Sequence, residues 1–226
     1  AICAKLPEDD DSQRKDDIPR ITIIGRPNTG KSSLLNQLAG QERAIVTDVA
    51  GTTRDAVEER IEYNGKPYII VDTAGMRRKA RVHEAIEYYS VVRGNKAIER
   101  SDVAILLIDA AEGPTEQDTK IAGLAINQGK PVILCVNKWD LEEKATETKD
   151  DFTAELRRQF AFMPWAKHVY ISALTTEGIK QLMQVVDQVY EASQRKIRPS
   201  VLNDFIWEAQ ALQTPASDKG SRLKIR

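Results

Sequence analysis

The eight residues Gly25-Arg26-Pro27-Asn28-Thr29-Gly30-Lys31-Ser32 constrain the fold of this chain more than any other stretch. They follow the apolar run Ile21-Thr22-Ile23-Ile24 and precede a segment, Ser32 to Gly40, whose leucines recur at helical spacing and whose Gly40 is the expected C-cap. A strand, a turn of the spacing G-x-x-x-x-G-K-[ST] and a helix, in that order, aim backbone N–H groups and a helix N-terminus at one point. Such a turn cradles phosphate groups, and it requires a sheet that holds strand and helix in register.

The remaining chain supplies that sheet. Residues 56–75 read as two strands around Asn64-Gly65, the dipeptide best suited to the positive φ angles of a tight hairpin. Asp102–Ala110 and Pro131–Asn137 are continuous apolar runs of strand length, as expected of central parallel strands covered on both faces. His168–Leu174 reads as a further strand, and helices are predicted over about 84–99, 116–128, 149–162 and 178–194. The alternation predicts an α/β fold: a mostly parallel, doubly wound, six-stranded sheet with helices on both faces and ligands at the carboxyl ends of its strands.

Composition narrows the classes of function. The 226 residues suffice for one α/β domain and an extension. A formal net charge of −1 gives no global positive field to announce a nucleic-acid partner. No apolar run reaches bilayer length and no signal-peptide pattern is visible, so a cytoplasmic location, or an organelle interior, is expected without a membrane partner. Cys3 and Cys135 lack metal-ligand spacing and read as reduced thiols. Residues 1–20 carry acidic clusters, Glu8 to Asp11 and Asp16-Asp17, and read as a linker or tail, whereas residues 195–226 are basic.

The chemistry follows from residues placed at strand ends. In the phosphate loop the backbone of Thr29, Gly30, Lys31, Ser32 and Ser33 faces the ligand, Lys31 reaches the β and γ oxygens, and the Ser32 hydroxyl is a ligand for Mg²⁺. Asp72, after Tyr68-Ile69-Ile70-Val71, is placed to hold Mg²⁺ through water, and Gly75 offers a backbone N–H to the γ-phosphate. In Asp48–Asp55 a threonine hydroxyl, Thr53 in preference to Thr52, completes the Mg²⁺ shell. Asn137-Lys138-Trp139-Asp140 selects the base. A carboxylate accepts both N1–H and the 2-amino group of guanine, so Asp140 reads the base while Asn137 holds the loop and the Lys138 stem covers the ring. Ser172-Ala173-Leu174 adds a backbone N–H near guanine O6, from Ala173. One residue is awkward: Met76 follows Gly75 where Ras-type enzymes carry the glutamine that orients water, and a thioether cannot do that.

With these five motifs in order, the sequence resembles the translation-factor class of GTPases, and within it the EngA (Der) family. The resemblance rests on Gly25–Gly40, Val46–Ala56, Asp72–Val103, Asn137–Leu141 and Ser172–Ile179. It implies the Ras-like P-loop GTPase fold, and a second G domain over residues 21–195 preceded by an acidic linker, residues 1–20. Residues 196–226 then resemble the incomplete start of a KH-like domain, with another G domain and the remaining KH-like domain as partners in cis. The implied activity is slow GTP hydrolysis to GDP in assembly of the large ribosomal subunit, contacting that subunit or its rRNA. These proteins replace the catalytic glutamine by a hydrophobic residue, and the related MnmE proteins hold K⁺ with the phosphate-loop asparagine. The matching residue is Asn28, so K⁺ beside Lys31, Thr53 and the Gly75 backbone is the implied catalytic set. Thr29 stands where the family carries valine or alanine.

Blander readings stand beside these. Asn28 also reads as a loop-capping asparagine, His83 and His168 as packing or solvent-facing residues, and Trp139 as packing. Arg77 to Arg81 contacts ribosomal RNA or a neighbouring domain, or is a mobile, solvated switch loop. Val201, Leu202, Phe205, Ile206 and Ala209 share a helical face suited to a domain core rather than a membrane. A switch with moving loops at 44–57 and 74–95 competes with a non-hydrolysing guanine-nucleotide scaffold; tRNA modification in the manner of MnmE is disfavoured because that family's C-terminal cysteine signature is missing.

Overall fold

The computed structural model describes residues 18–40, 58–71, 95–141 and 146–212. It divides into two units, residues 1–193 and 194–226. The first unit holds a six-stranded sheet formed by β1 (Arg20–Ile24), β2 (Glu59–Tyr63), β3 (Lys66–Ile70), β4 (Val103–Asp109), β5 (Val132–Asn137) and β6 (Lys167–Tyr170). Their order is β2-β3-β1-β4-β5-β6, and every neighbouring pair is parallel except the β2–β3 hairpin. Its turn is the expected one, with Asn64 at φ 51° and Gly65 at φ 76°.

Burial explains the long apolar runs. All seven residues of β4 and all six of β5 are buried, and their side chains alternate between two cores. Ile105, Leu107, Ile133 and Cys135 join Leu34, Leu35 and Leu38 of α1 (Lys31–Gly40) and Leu182, Met183 and Val186 of α4 (Ile179–Ser193). Leu106, Ile108, Leu134 and Val136 face the other way, onto Ala122 and Ala125 of α2 (Glu116–Asn127), Leu156 of α3 (Thr146–Gln159) and Ile98 of helical residues 95–100. Each fully buried Leu or Ile contributes about 1.5–3 kcal/mol. Along Val103–Ile108 and Val132–Val136 an unpartnered polar side chain would therefore oppose the fold, and the strands' polar residues, Asp109 and Asn137, come only at their carboxyl ends. Burial also pushes the Cys135 thiol far up its scale, which keeps it a protonated, unreactive core residue.

The edges are closed by polar contacts. On the hairpin, Tyr68, 2% exposed, donates its hydroxyl to Asp187 of α4 at 2.8 Å, and Lys66 pairs with the same carboxylate at 2.6 Å. Lys66 is largely exposed, so water screens that pair and the buried tyrosine holds the hairpin.

Several expected boundaries move. Gly40 is the last described residue of α1, and residues 41–57, which would show whether it caps the helix, lie outside the described residues. The helix predicted at 149–162 runs Thr146–Gln159 instead, because Phe160 and Met163 are drawn into the core by successive tight turns ahead of Pro164. The strand predicted at 168–174 is Lys167–Tyr170; the Ile171 N–H still donates to the Val136 carbonyl of β5 at 2.7 Å, and Ser172 to Leu174 form a loop. Of the helix predicted over 84–99, residues 95–99 are helical and 84–94 lie outside the described residues, as does His83.

His168 packs against Tyr170, ring centroids 5.9 Å apart, and is half-buried. Burial first, then the nearby charges of Arg157, Lys149 and Lys167, hold its pKa below the ordinary 6.5. The unfolded chain therefore takes up a proton more readily than the folded one, and stability falls as pH drops through about 6.5. We expect wild-type protein to lose more stability between about pH 7.5 and pH 5.5 than His168→Gln does, measured by urea unfolding. Equal losses in the two proteins would contradict this assignment.

The second unit contains α5 (Pro199–Leu212), opened by proline at the first helical position, where its missing N–H costs nothing. Val201, Leu202 and Phe205 of the expected apolar face are exposed, as is Trp207 off that face. Among the described residues no helix is long and apolar enough to cross a membrane.

Candidate nucleotide-binding site

The predicted residues that the structure describes meet at the carboxyl ends of β1, β5 and β6. Gly25 leaves β1, the loop runs to Gly30, and α1 begins at Lys31, so the helix N-terminus opens onto the loop. The Gly30 carbonyl is built into this start: it accepts the Leu34 N–H at 2.9 Å. Gly30 has φ 96°, and a Cβ there would lie 2.2 Å from Asn137 Nδ2. Only glycine fits both the conformation and the space.

Asn137 joins three motifs. Its Nδ2 donates to the Thr29 carbonyl at 2.8 Å, and its Oδ1 accepts the Ala173 N–H at 2.9 Å. Asn137, Thr29 and Ala173 are 2%, 1% and 3% exposed, so both bonds are shielded from water. Phosphate loop, base loop and the loop after β6 are thus fixed to one another by one amide. The last loop is closed on itself: Ser172 N–H donates to the Glu177 carbonyl at 3.0 Å, and Ser172 Oγ accepts from Thr175 N–H at 3.0 Å. Leu174 is exposed at its tip.

Asp140 sits half-buried in a 3₁₀ turn, Trp139–Leu141. Trp139 holds that turn from beneath, as expected of a packing residue. Its ring lies 4.4 Å from Tyr170 and 5.5 Å from Phe152, and its backbone N–H donates to the Ile171 carbonyl at 3.1 Å. Lys138, at φ 65°, has its ammonium on Asp109 at 2.5 Å. Asp109 is 4% exposed, ends β4 directly beside Asn137 and also accepts the Ala111 N–H at 3.1 Å. No local pattern points to this partner, which ties down the cationic end of the side chain whose stem was expected to cover a base.

Three features of the phosphate loop also escaped sequence reasoning. Thr29 is no neutral replacement for valine or alanine, because its Oγ1 donates to the Arg26 carbonyl at 3.0 Å. Lys31 Nζ, expected on phosphate oxygens, donates to that same carbonyl. Arg26 itself is anchored outside the loop, to Asp118 and Glu112. Asn28 is exposed with φ 64°, a conformation asparagine tolerates in turns. Ser32 and Ser33 lie in the first turn of α1, half-buried and exposed respectively.

Thr53, Asp72, Gly75 and Met76 lie outside the described residues, as do Arg77 to Arg81 and the loops 44–57 and 74–94. No cluster of three His, Cys, Asp or Glu side chains able to hold a metal ion occurs among the described residues. Among the described residues the donor set at this site is one hydroxyl, Ser32, at a helix N-terminus beside a lysine. That set fits a divalent ion arriving with phosphate oxygens and water, the coordination Mg²⁺ prefers, rather than a resident metal cage.

Known proteins place this geometry. The sequence model for 50S ribosome-binding GTPases matches residues 20–138. The chain is 47% identical over 224 residues to the GTPase Der of Lachnospira eligens and 48% identical over 224 residues to that of Agathobacter rectalis. Each alignment takes in 99% of this chain and 51% of the relative, so the chain spans about half the length of the curated relatives it matches. Among solved structures, an Aquifex aeolicus Era variant bound to GDP·AlF4⁻ superposes with a TM-score of 0.57 at 27% identity, covering 76% of this chain and 56% of the other. Era in complex with MgGDPNP and nucleotides 1506–1542 of 16S ribosomal RNA gives 0.58 at 26% identity, with 80% and 58% covered.

Proposed function

The chain belongs to the 50S ribosome-binding GTPase family and within it to the Der (EngA) GTPases, and from that premise we propose that it binds GTP with Mg²⁺, hydrolyses it to GDP and phosphate, and serves as a switch in assembly of the large ribosomal subunit. The observation that carries this reading is the Asn137 amide, which fastens the phosphate loop and the two base-side loops into one rigid cradle. A cradle fixed before the ligand arrives loses little entropy on binding.

In this reading Lys31 exchanges the Arg26 carbonyl for the β and γ oxygens, where a charge-assisted bond is stronger than one to a neutral acceptor. The backbone N–H groups from Thr29 to Ser33 hold the same phosphates at the start of α1. Asp140 accepts N1–H and the 2-amino group of guanine, and the Ala173 region faces O6. Ser32, Asp72 and Thr53 would hold Mg²⁺, which when bound neutralises charge on the phosphates. Met76 cannot orient water, so Thr53 and the Gly75 backbone take that task.

Asn28 is the residue that would hold K⁺. Its exposed, left-handed position on the loop leaves the side chain free of the core, which supports this role. We expect single-turnover GTP hydrolysis to run severalfold faster in KCl than in NaCl at matched ionic strength, and Asn28→Ala to remove the difference. Persistence of the K⁺ preference in Asn28→Ala would sink the assignment of that residue. A rate equal to protein-free buffer in both salts would instead favour a guanine-nucleotide scaffold that does not hydrolyse.

The remaining parts of the reading concern the whole protein. Residues 21–195 act as the second of two G domains, residues 1–20 as the linker to the first, and residues 196–226 as the start of a KH-like domain. The half-length match to relatives and the exposed apolar residues of α5 support this arrangement. The ribosomal contact, through the large subunit or its rRNA, is made by the full-length protein in the cytoplasm.

A further inference from the structure

Arg26, one of the two cations of the phosphate loop, is paired with groups outside that loop. Its Nε donates to both oxygens of Asp118, at 3.1 and 3.0 Å, one terminal nitrogen donates to Glu112 at 2.5 Å, and the other reaches the Gly113 carbonyl at 3.4 Å. Asp118 is fully buried, whereas Glu112 is 59% exposed, so Asp118 is the partner that matters. Asp118 is itself immobilised. It closes the capping box of α2, accepting the Thr115 N–H at 3.0 Å and the Thr115 hydroxyl at 2.8 Å. The carbonyl of Arg26 meanwhile accepts the Thr29 hydroxyl and the Lys31 ammonium. One residue therefore connects three things: the start of α2, the middle of the phosphate loop and the phosphate-seeking lysine.

We propose that Arg26 is a positioning residue for the bound nucleotide, whose pairing with buried Asp118 fixes the phosphate loop and the parked Lys31 ahead of ligand binding. The inference rests on the nucleotide-binding reading above and adds to it a specific device. Lysine in place of Arg26 cannot reproduce it, because a point charge lacks the rigid guanidinium fork that spans Asp118, Glu112 and the Gly113 carbonyl together. The effect is selective for phosphate. The base is held by Asp140 and the loop after β6, which Arg26 does not touch, so loss of the anchor weakens ligands in proportion to what they place in the phosphate loop.

The test compares GDP with GMP, which lacks the β-phosphate, on full-chain Arg26→Gln and Arg26→Lys. We expect Arg26→Gln to weaken GDP about tenfold or more while GMP changes little, and Arg26→Lys to fall between wild type and Arg26→Gln. Should Arg26→Gln fail to fold, Arg26→Lys carries the same comparison. GDP affinity unchanged in the variants, or equal losses for GDP and GMP, overturns the proposal and leaves Arg26 a merely structural residue. Wild-type protein that binds neither nucleotide would instead remove the nucleotide reading on which the proposal stands.

Discussion

Asp140→Asn is expected to move the base preference of the site from guanine to xanthine, lowering GDP affinity on the order of 10⁴-fold. The carboxylate offers acceptors to both N1–H and the 2-amino group of guanine. An amide has one acceptor and sets its own NH₂ against the amino group, leaving buried donors unpaired. Xanthine carries a carbonyl at that position, which the amide satisfies. The loss corresponds to about 5.5 kcal/mol, more than any change in folding could supply at a half-buried turn residue. Thermal stability without nucleotide should stay near wild type, since Trp139, packed edge-on against Phe152 and tilted against Tyr170, holds the turn. Competition binding of GDP and XDP decides it: a variant that keeps GDP, or that loses GDP without gaining XDP, excludes Asp140 as the reader.

Asn137→Ala carries the second large effect, and here the cost falls on the fold as well as on binding. Removing the amide strands the Ala173 N–H and deprives the Thr29 carbonyl of its donor, both at buried positions. At about 1–3 kcal/mol for each unsatisfied group, the expected destabilisation is about 2–5 kcal/mol. That corresponds to a fall of about 10 °C in Tm for a domain of this size. GDP should also bind more weakly, because the phosphate loop and the base loops are no longer fixed to each other. Calorimetric melting with and without GDP measures both effects. A destabilisation below about 1 kcal/mol would mean that the two bonds are not made in solution.

Much of this was legible in the residues because the relevant rules are local. The spacing of Gly25, Gly30, Lys31 and Ser32 demands a strand before it and a helix after it, and the structure has them at Arg20–Ile24 and Lys31–Gly40. The unbroken apolar runs of β4 and β5 required two covered faces, and the two cores supply them. Asn64-Gly65 specified its turn through its own backbone preferences. Helix and strand ends were less legible. Phe160 and Met163 are apolar enough to extend an element, and only the neighbouring core decides that they leave it.

The sequence by itself determined the sheet and the strand, turn and helix around Gly25–Ser32, because each depends on residue type and spacing along a few neighbouring positions. Only the tertiary structure decided which groups hold the site in shape. Arg26 reaches Asp118 across 92 positions, Asn137 reaches Thr29 across 108, and Lys138 reaches Asp109 across 29. Such pairs leave no local pattern. They exist because parallel strands bring their carboxyl ends together, and because polar groups buried there must find partners in whatever the fold has placed within hydrogen-bond reach.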